Sequence, residues 1–173
     1  ERWGRWSPMA LLGVDYHFRH SAKKASSHPE SEKKQWASVG VGTGVYSVNF
    51  GLISGIRKLT FVGEAAYGLW LHSIHGAQIS VSNTVAKREM SGKENLTAIK
   101  LNYVLNISDL FSDTSSEEKL FRVRGLAGAS MNVAAGDGKS TKWAPGAQIA
   151  LQGGFRLSPA FEIYVQPEAT MYA

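Results

Sequence analysis

The chain has 173 residues, enough for one domain, with 43% hydrophobic residues, a formal net charge of +5 and no cysteine. That composition excludes a disulfide scaffold, and no apolar stretch reaches the roughly 18 residues that a spanning helix needs. A membrane β-barrel is not excluded, because a spanning strand takes only about 9 to 11 tilted residues and alternation dilutes mean hydropathy.

Successive side chains of a strand point to opposite faces, so an alternating run has one apolar and one polar face. The first run, 9 to 19, sets Leu12, Val14, Tyr16 and Phe18 against Gly13, Asp15, His17 and Arg19. A charged segment follows, with Lys23, Lys24, Lys33 and Lys34, and reads as a linker over 21–35. The run 36 to 48 sets Val39, Val41 and Val45 against Gly40, Gly42 and Gly44. Next, Phe61, Ala65, Tyr67, Leu69 and Leu71 oppose Thr60, Glu64 and Gly68, blurred by Val62, Ala66 and Trp70, and a weaker run over 77 to 86 carries Ile79 and Val81.

The second half is clearer. Ile99, Leu101, Tyr103, Leu105, Ile107 and Phe111 oppose Lys100, Asn102, Asn106 and Ser108, with Val104 and Leu110 as exceptions. Phe121, Val123, Ala127, Ala129, Met131 and Val133 oppose Arg122, Arg124, Ser130 and Asn132. Trp143, Ala147, Ile149, Leu151, Phe155 and Leu157 oppose Gln148, Gln152, Gly154 and Arg156, and after Ser158-Pro159 the residues Phe161, Ile163, Val165, Ala169 and Met171 oppose Glu162, Gln166, Glu168 and Thr170. The pattern predicts about eight strands and no helix.

A soluble sandwich or lipocalin-like barrel would turn its bulky apolar face inward. Here the polar parity mixes glycines with long charged residues, the filling that a small barrel with a polar interior requires. Aromatics stand near the ends of runs, and Trp36, Trp70, Phe111, Phe121, Trp143 and Phe161 are assigned to interfacial girdles. The expected fold is all-β, an up-and-down antiparallel transmembrane β-barrel of about eight strands. Its barrel is placed over 36–173. Residues 1–20 form a leading strand that looks like the close of a preceding unit, since no closing strand follows the last run, so the chain reads as processed or as a piece of a longer protein.

Connections alternate between the two ends of such a barrel, and short turns face the periplasm in outer-membrane barrels. Ser158-Pro159-Ala160 is the tightest turn. Counting back from it puts 112–119, 72–76 and 20–35 at the same end, with 134–141 and 90–95 at the other.

Three segments suggest a family. Leu101-Asn102-Tyr103-Val104-Leu105-Asn106-Ile107-Ser108-Asp109-Leu110-Phe111 resembles a strand and turn of OmpA-like outer-membrane β-barrel proteins of the Bacteroidetes type. Trp36-Ala37-Ser38-Val39-Gly40-Val41-Gly42-Thr43-Gly44, near the family's first strand, shares the resemblance, as does Gly153-Gly154-Phe155-Arg156-Leu157-Ser158-Pro159 with Tyr164-Val165-Gln166-Pro167-Glu168. The likeness covers 36 to 173 and rests on the order of the segments. It departs from the family's plan at the end, where a closing strand with a terminal aromatic is expected. The resemblance implies a bacterial outer-membrane location, contact with outer-membrane lipid, and a barrel that stands alone or joins other outer-membrane proteins in a larger envelope complex.

Candidate chemistry is sparse. Gly136-Asp137-Gly138-Lys139-Ser140-Thr141 lacks the first glycine of a phosphate loop, Val133 standing in its place, and a strand follows instead of a helix. His17 and His20 lie three apart on a strand and point to opposite faces, while His72 and His75 flank a turn with no carboxylate or cysteine beside them. The outer segments offer Glu94, Asp137, Ser140 and Thr141 but no histidine, so neither catalytic residues nor a cofactor or metal are assigned. The basic residues sit in the linker or alternate inward, which argues against nucleic acid. The sequons at Asn95 and Asn106 read as chance matches.

Parity assigns the inward acids as Asp15, Glu64, Glu162 and Glu168, and the inward bases as Arg19, Lys100, Arg122, Arg124 and Arg156. Their near balance predicts an ion-pair network that fills the lumen, with Arg156 and Glu162, beside the tight turn, as the closest pair. The expected role is therefore structural or accessory, a non-enzymatic barrel with a closed lumen. A porin-like passive channel and a soluble lipocalin-like binder are the alternatives.

Overall fold

The computed structural model describes residues 5–18, 35–45, 59–72, 74–87, 93–111, 119–136 and 141–172. Eight strands run in chain order: β1 Arg5–Phe18, β2 Gln35–Val45, β3 Leu59–Trp70, β4 His75–Lys87, β5 Lys93–Asn106, β6 Phe121–Gly136, β7 Lys142–Arg156 and β8 Phe161–Tyr172. Each pairs antiparallel with its sequence neighbours, and β1 pairs with β8, so the sheet closes as an up-and-down barrel without an edge. The leading run is therefore a stave of the same barrel. Arg5 to Tyr16 run in register against Tyr172 to Phe161, which corrects the separation of residues 1–20 from a barrel over 36–173. Sequence alone could not pair two segments about 150 residues apart, because alternation fixes faces and not neighbours. The linker placed over 21–35 lies, apart from Gln35, outside the described residues.

Alternation translates directly into the two surfaces. Leu12, Val14, Tyr16, Val39, Val41, Phe61, Tyr67, Ile79, Ile99, Leu101, Ile149, Leu151, Ile163 and Val165 face outward and exposed, while the polar parity is buried inside. Val39 is 65% exposed, whereas Lys100 and Arg124 are each 1% exposed. The polarity of an ordinary soluble core is inverted. One departure is a single helical turn, α1 Ile107–Leu110, where the sequence continued a strand. Asn106 donates to Asp109 at 2.7 Å, and the amide of Val123 donates to Ser108 Oγ at 2.7 Å, so local side-chain bonds replace the ladder there.

Two apolar clusters sit inside the polar lumen. Leu11, Val62 and Tyr164 form one, and Trp36, Val104 and Leu126, with Trp70 and Ala150 against them, form the other. Trp36 and Trp70 thus leave the girdle to which the sequence assigned them. Trp36 is 1% exposed and its ring lies 4.9 Å from that of Trp70. The cause is parity. Trp36 alternates with Ser38 and Trp70 with Ala66 and Gly68, and all of these face inward. A Cβ at Gly68 would collide with the Trp36 indole, so a glycine on β3 makes the space that the ring fills. Phe111, Phe121, Trp143 and Phe161 do face outward and are exposed.

Candidate functional site

The chemistry of the described residues is concentrated inside the barrel, at two levels. At the first, Arg124 of β6 reaches across the lumen. Its Nη1 donates to Asp15 Oδ2 of β1 at 2.6 Å and to Gln152 Oε1 at 3.1 Å, and its Nη2 donates to Glu162 Oε1 of β8 at 2.8 Å. The same guanidinium lies 5.9 Å from the Trp36 ring centre and 5.8 Å from that of Trp70, within cation–π range. Arg122 Nη1 stands 3.4 Å and His17 Nε2 3.7 Å from Glu162 Oε2. Arg124 is thus held by two carboxylates, an amide and two indoles, which compensates the burial of its charge.

At the second level Lys100 of β5 donates to Glu64 Oε2 of β3 at 2.7 Å and to Glu168 Oε1 of β8 at 2.5 Å. Gln166 and Thr170 donate to the two Glu168 oxygens, each at 3.1 Å. Beside these groups Gln148 donates to Asn102 at 2.5 Å. None of the Arg124 and Lys100 ion pairs joins strands adjacent in the sheet. They link β6 to β1 and β8, and β5 to β3 and β8, so they act as cross-struts of the barrel.

The structure brings Asp15, Arg122, Arg124 and Glu162 together in one cluster and Glu64, Lys100 and Glu168 in another. Arg19 lies outside the described residues. Arg156 stands apart from the partner expected for it: its Nε donates to Ser158 O at 3.2 Å and braces the β7–β8 turn. In the ladder Arg156 does oppose Glu162. However, the Glu162 carboxylate lies over Gly154, where any Cβ would strike it, and there it meets Arg124 and Arg122 of β6. A neighbour in the register loses to two cations reached across a glycine gap.

Sequence reasoning missed four side chains of the site. Gln152 completes the Arg124 shell, and Trp36 and Trp70 flank it. Their inward parity was the available signal. His17 is the fourth: its partners are residues of β1 and β8, where Asp15, His17 and Glu162 bring donor atoms within 4.8 Å of one another. His72 and His75 have ring centres 6.2 Å apart at the β3–β4 turn, and His75 Nδ1 hydrogen-bonds the Tyr103 hydroxyl. No family model, curated protein or solved structure matches the chain.

Proposed function

We propose that the chain is an integral outer-membrane barrel of the OmpA-like kind, with a closed lumen and a structural or accessory role instead of catalysis. The inverted polarity carries this reading. Among outward-facing strand positions whose side chains are described, none is Asp, Glu, Lys or Arg, and large apolar residues stand exposed on all eight strands. Soluble monomers rarely expose apolar patches beyond a few hundred Å². Lipid is the solvent that suits such a surface, and strands of 11 to 16 residues exceed the roughly 9 to 11 that a tilted span requires. Outer-membrane lipid is then the first partner, and other outer-membrane proteins of an envelope complex would meet the barrel at its rims or outer face.

The closed lumen is supported by the burial of inward residues from Arg122 and Arg124 through Lys100 to Ser82 and Thr84. A barrel of about eight strands is just wide enough for side chains to fill it, whereas porins need about 16 or more. A water-filled passage would leave those residues exposed to it, which argues against the porin-like alternative.

Quenching by brominated lipid tests the membrane reading. A variant that keeps Trp143 as its only tryptophan should be strongly quenched after refolding into brominated bilayers, and a variant that keeps only Trp36 should not. A chain that folds as a soluble monomer without detergent would replace this reading with the lipocalin-like binder.

A further inference from the structure

We propose that Asp15, His17 and Glu162 form a binding site for a first-row transition-metal dication of the zinc class, at the end of the barrel that carries the β7–β8 turn. Strand geometry assembles the triad. Asp15 and His17 are two apart on β1 and so share the inner face, and Glu162 of β8 is the direct cross-strand partner of Asp15. Carboxylates placed opposite each other repel unless a cation lies between them. Arg124 supplies one cation and occupies Asp15 Oδ2 and Glu162 Oε1.

The opposite lone pairs are left over. Asp15 Oδ1, Glu162 Oε2 and His17 Nε2 are all buried without a hydrogen-bond partner. Buried polar atoms are ordinarily satisfied, and a dication held by the neutral imidazole and both carboxylates would satisfy these three atoms at once. Arg122 approaches Glu162 Oε2 only to 3.4 Å, longer than the about 2.7–2.9 Å of a charge-assisted hydrogen bond.

The spacing suits a small dication. Metal–ligand bonds of about 2 Å at a tetrahedral angle put donor atoms about 3.3 Å apart. His17 Nε2 and Glu162 Oε2 are 3.7 Å apart, and one donor atom from each of the three residues lies within 4.8 Å of the others, so modest side-chain rotations close the set. One imidazole with two carboxylates suits zinc, cobalt or nickel better than calcium or magnesium, which prefer oxygen alone. With three protein ligands, a fourth position remains for water or a partner's donor. His17 gives the entry path: its side chain is 17% exposed while those of Asp15 and Glu162 are sealed. A proton on His17 is the competing cation, and it would satisfy Glu162 but leave Asp15 Oδ1 bare.

Titration of the refolded, chelator-treated chain with Co2+ and with Zn2+ tests the site, using the visible absorption of cobalt, calorimetry and thermal unfolding. One cobalt per chain should bind, zinc should displace it, and either metal should raise the unfolding midpoint. His17→Gln, at the half-open rim, should abolish the cobalt spectrum and the stabilisation while the heat-sensitive gel migration of the folded barrel persists. Asp15→Asn should weaken binding by at least about tenfold. His72→Gln with His75→Gln should change nothing. Absence of stoichiometric binding, or binding that survives His17→Gln and disappears with His72 and His75, overturns the site.

Discussion

At the scale of single residues the lumen is governed by what each buried charge is left with. Lys100→Met removes the ion-pair partner that Glu64 and Glu168 share among the described residues, and leaves two buried carboxylates without it. Breaking a buried pair on one side costs about 3–5 kcal/mol, a loss that should appear in urea unfolding of the refolded barrel. Thr141→Ala, at an exposed position, should stay within about 0.5 kcal/mol. Substitutions to arginine should separate the faces. Leu151 is exposed on the outer wall, so Leu151→Arg should cost about 2–4 kcal/mol near a bilayer midplane. Parity alone suggests that Gln152→Arg is the milder change, since it points inward. The structure reverses that, because Gln152 accepts from Arg124 and an arginine there would set two guanidiniums against each other. Gln152→Arg should destabilise at least as much as Leu151→Arg.

At the scale of elements, small residues on one strand shape what the next can hold. β3 carries Gly68 beneath Trp36 of β2, and β7 carries Gly154 beneath Glu162 of β8. Gly68→Val should therefore drive the indole from its place beside Arg124 and cost about 1–3 kcal/mol through overpacking. Trp36 emission should shift to the red in the same variant, since the ring moves toward water. Gly154→Ala should act differently, turning Glu162 away from Arg124. The two interior apolar clusters, around Tyr164 and around Trp36, flank these polar groups. They explain why Val62 and Val104 interrupt an otherwise clean alternation: both belong to the interior packing.

At the scale of the molecule, closure and filling go together. A closed sheet leaves no strand without a neighbour on either side, and the buried ion pairs that cross the lumen fill the space a pore would need. The purified chain in planar bilayers should accordingly give no large, steady conductance. Frequent steady channels would mean that the interior opens and would favour a passive pore. The cross-struts also predict a shared transition: β1 and β8, joined to β6 and β5 through Arg124 and Lys100, should unfold together with them in one step, read by tryptophan emission and by gel migration alike.

The sequence by itself determined the number of strands, which face of each is apolar, and which charges point inward, because a period of two is a local property of an extended chain. Val165 and Glu168 could be assigned to opposite faces from their own neighbours alone. Tertiary structure decided the rest. β1 closes the barrel against β8 because curvature brings the two ends of the sheet together, which no local pattern encodes. Arg124 meets Asp15 across 109 positions of sequence, and Glu162 turns from Arg156 in the adjacent register toward β6 because Gly154 leaves the way open. Trp36 and Trp70 read as girdle residues by their place at strand ends, yet the inner face of the closed sheet claims them. Asp15, His17 and Glu162 become neighbours only when β1 and β8 pair, so their shared chemistry exists in the barrel and nowhere along the chain.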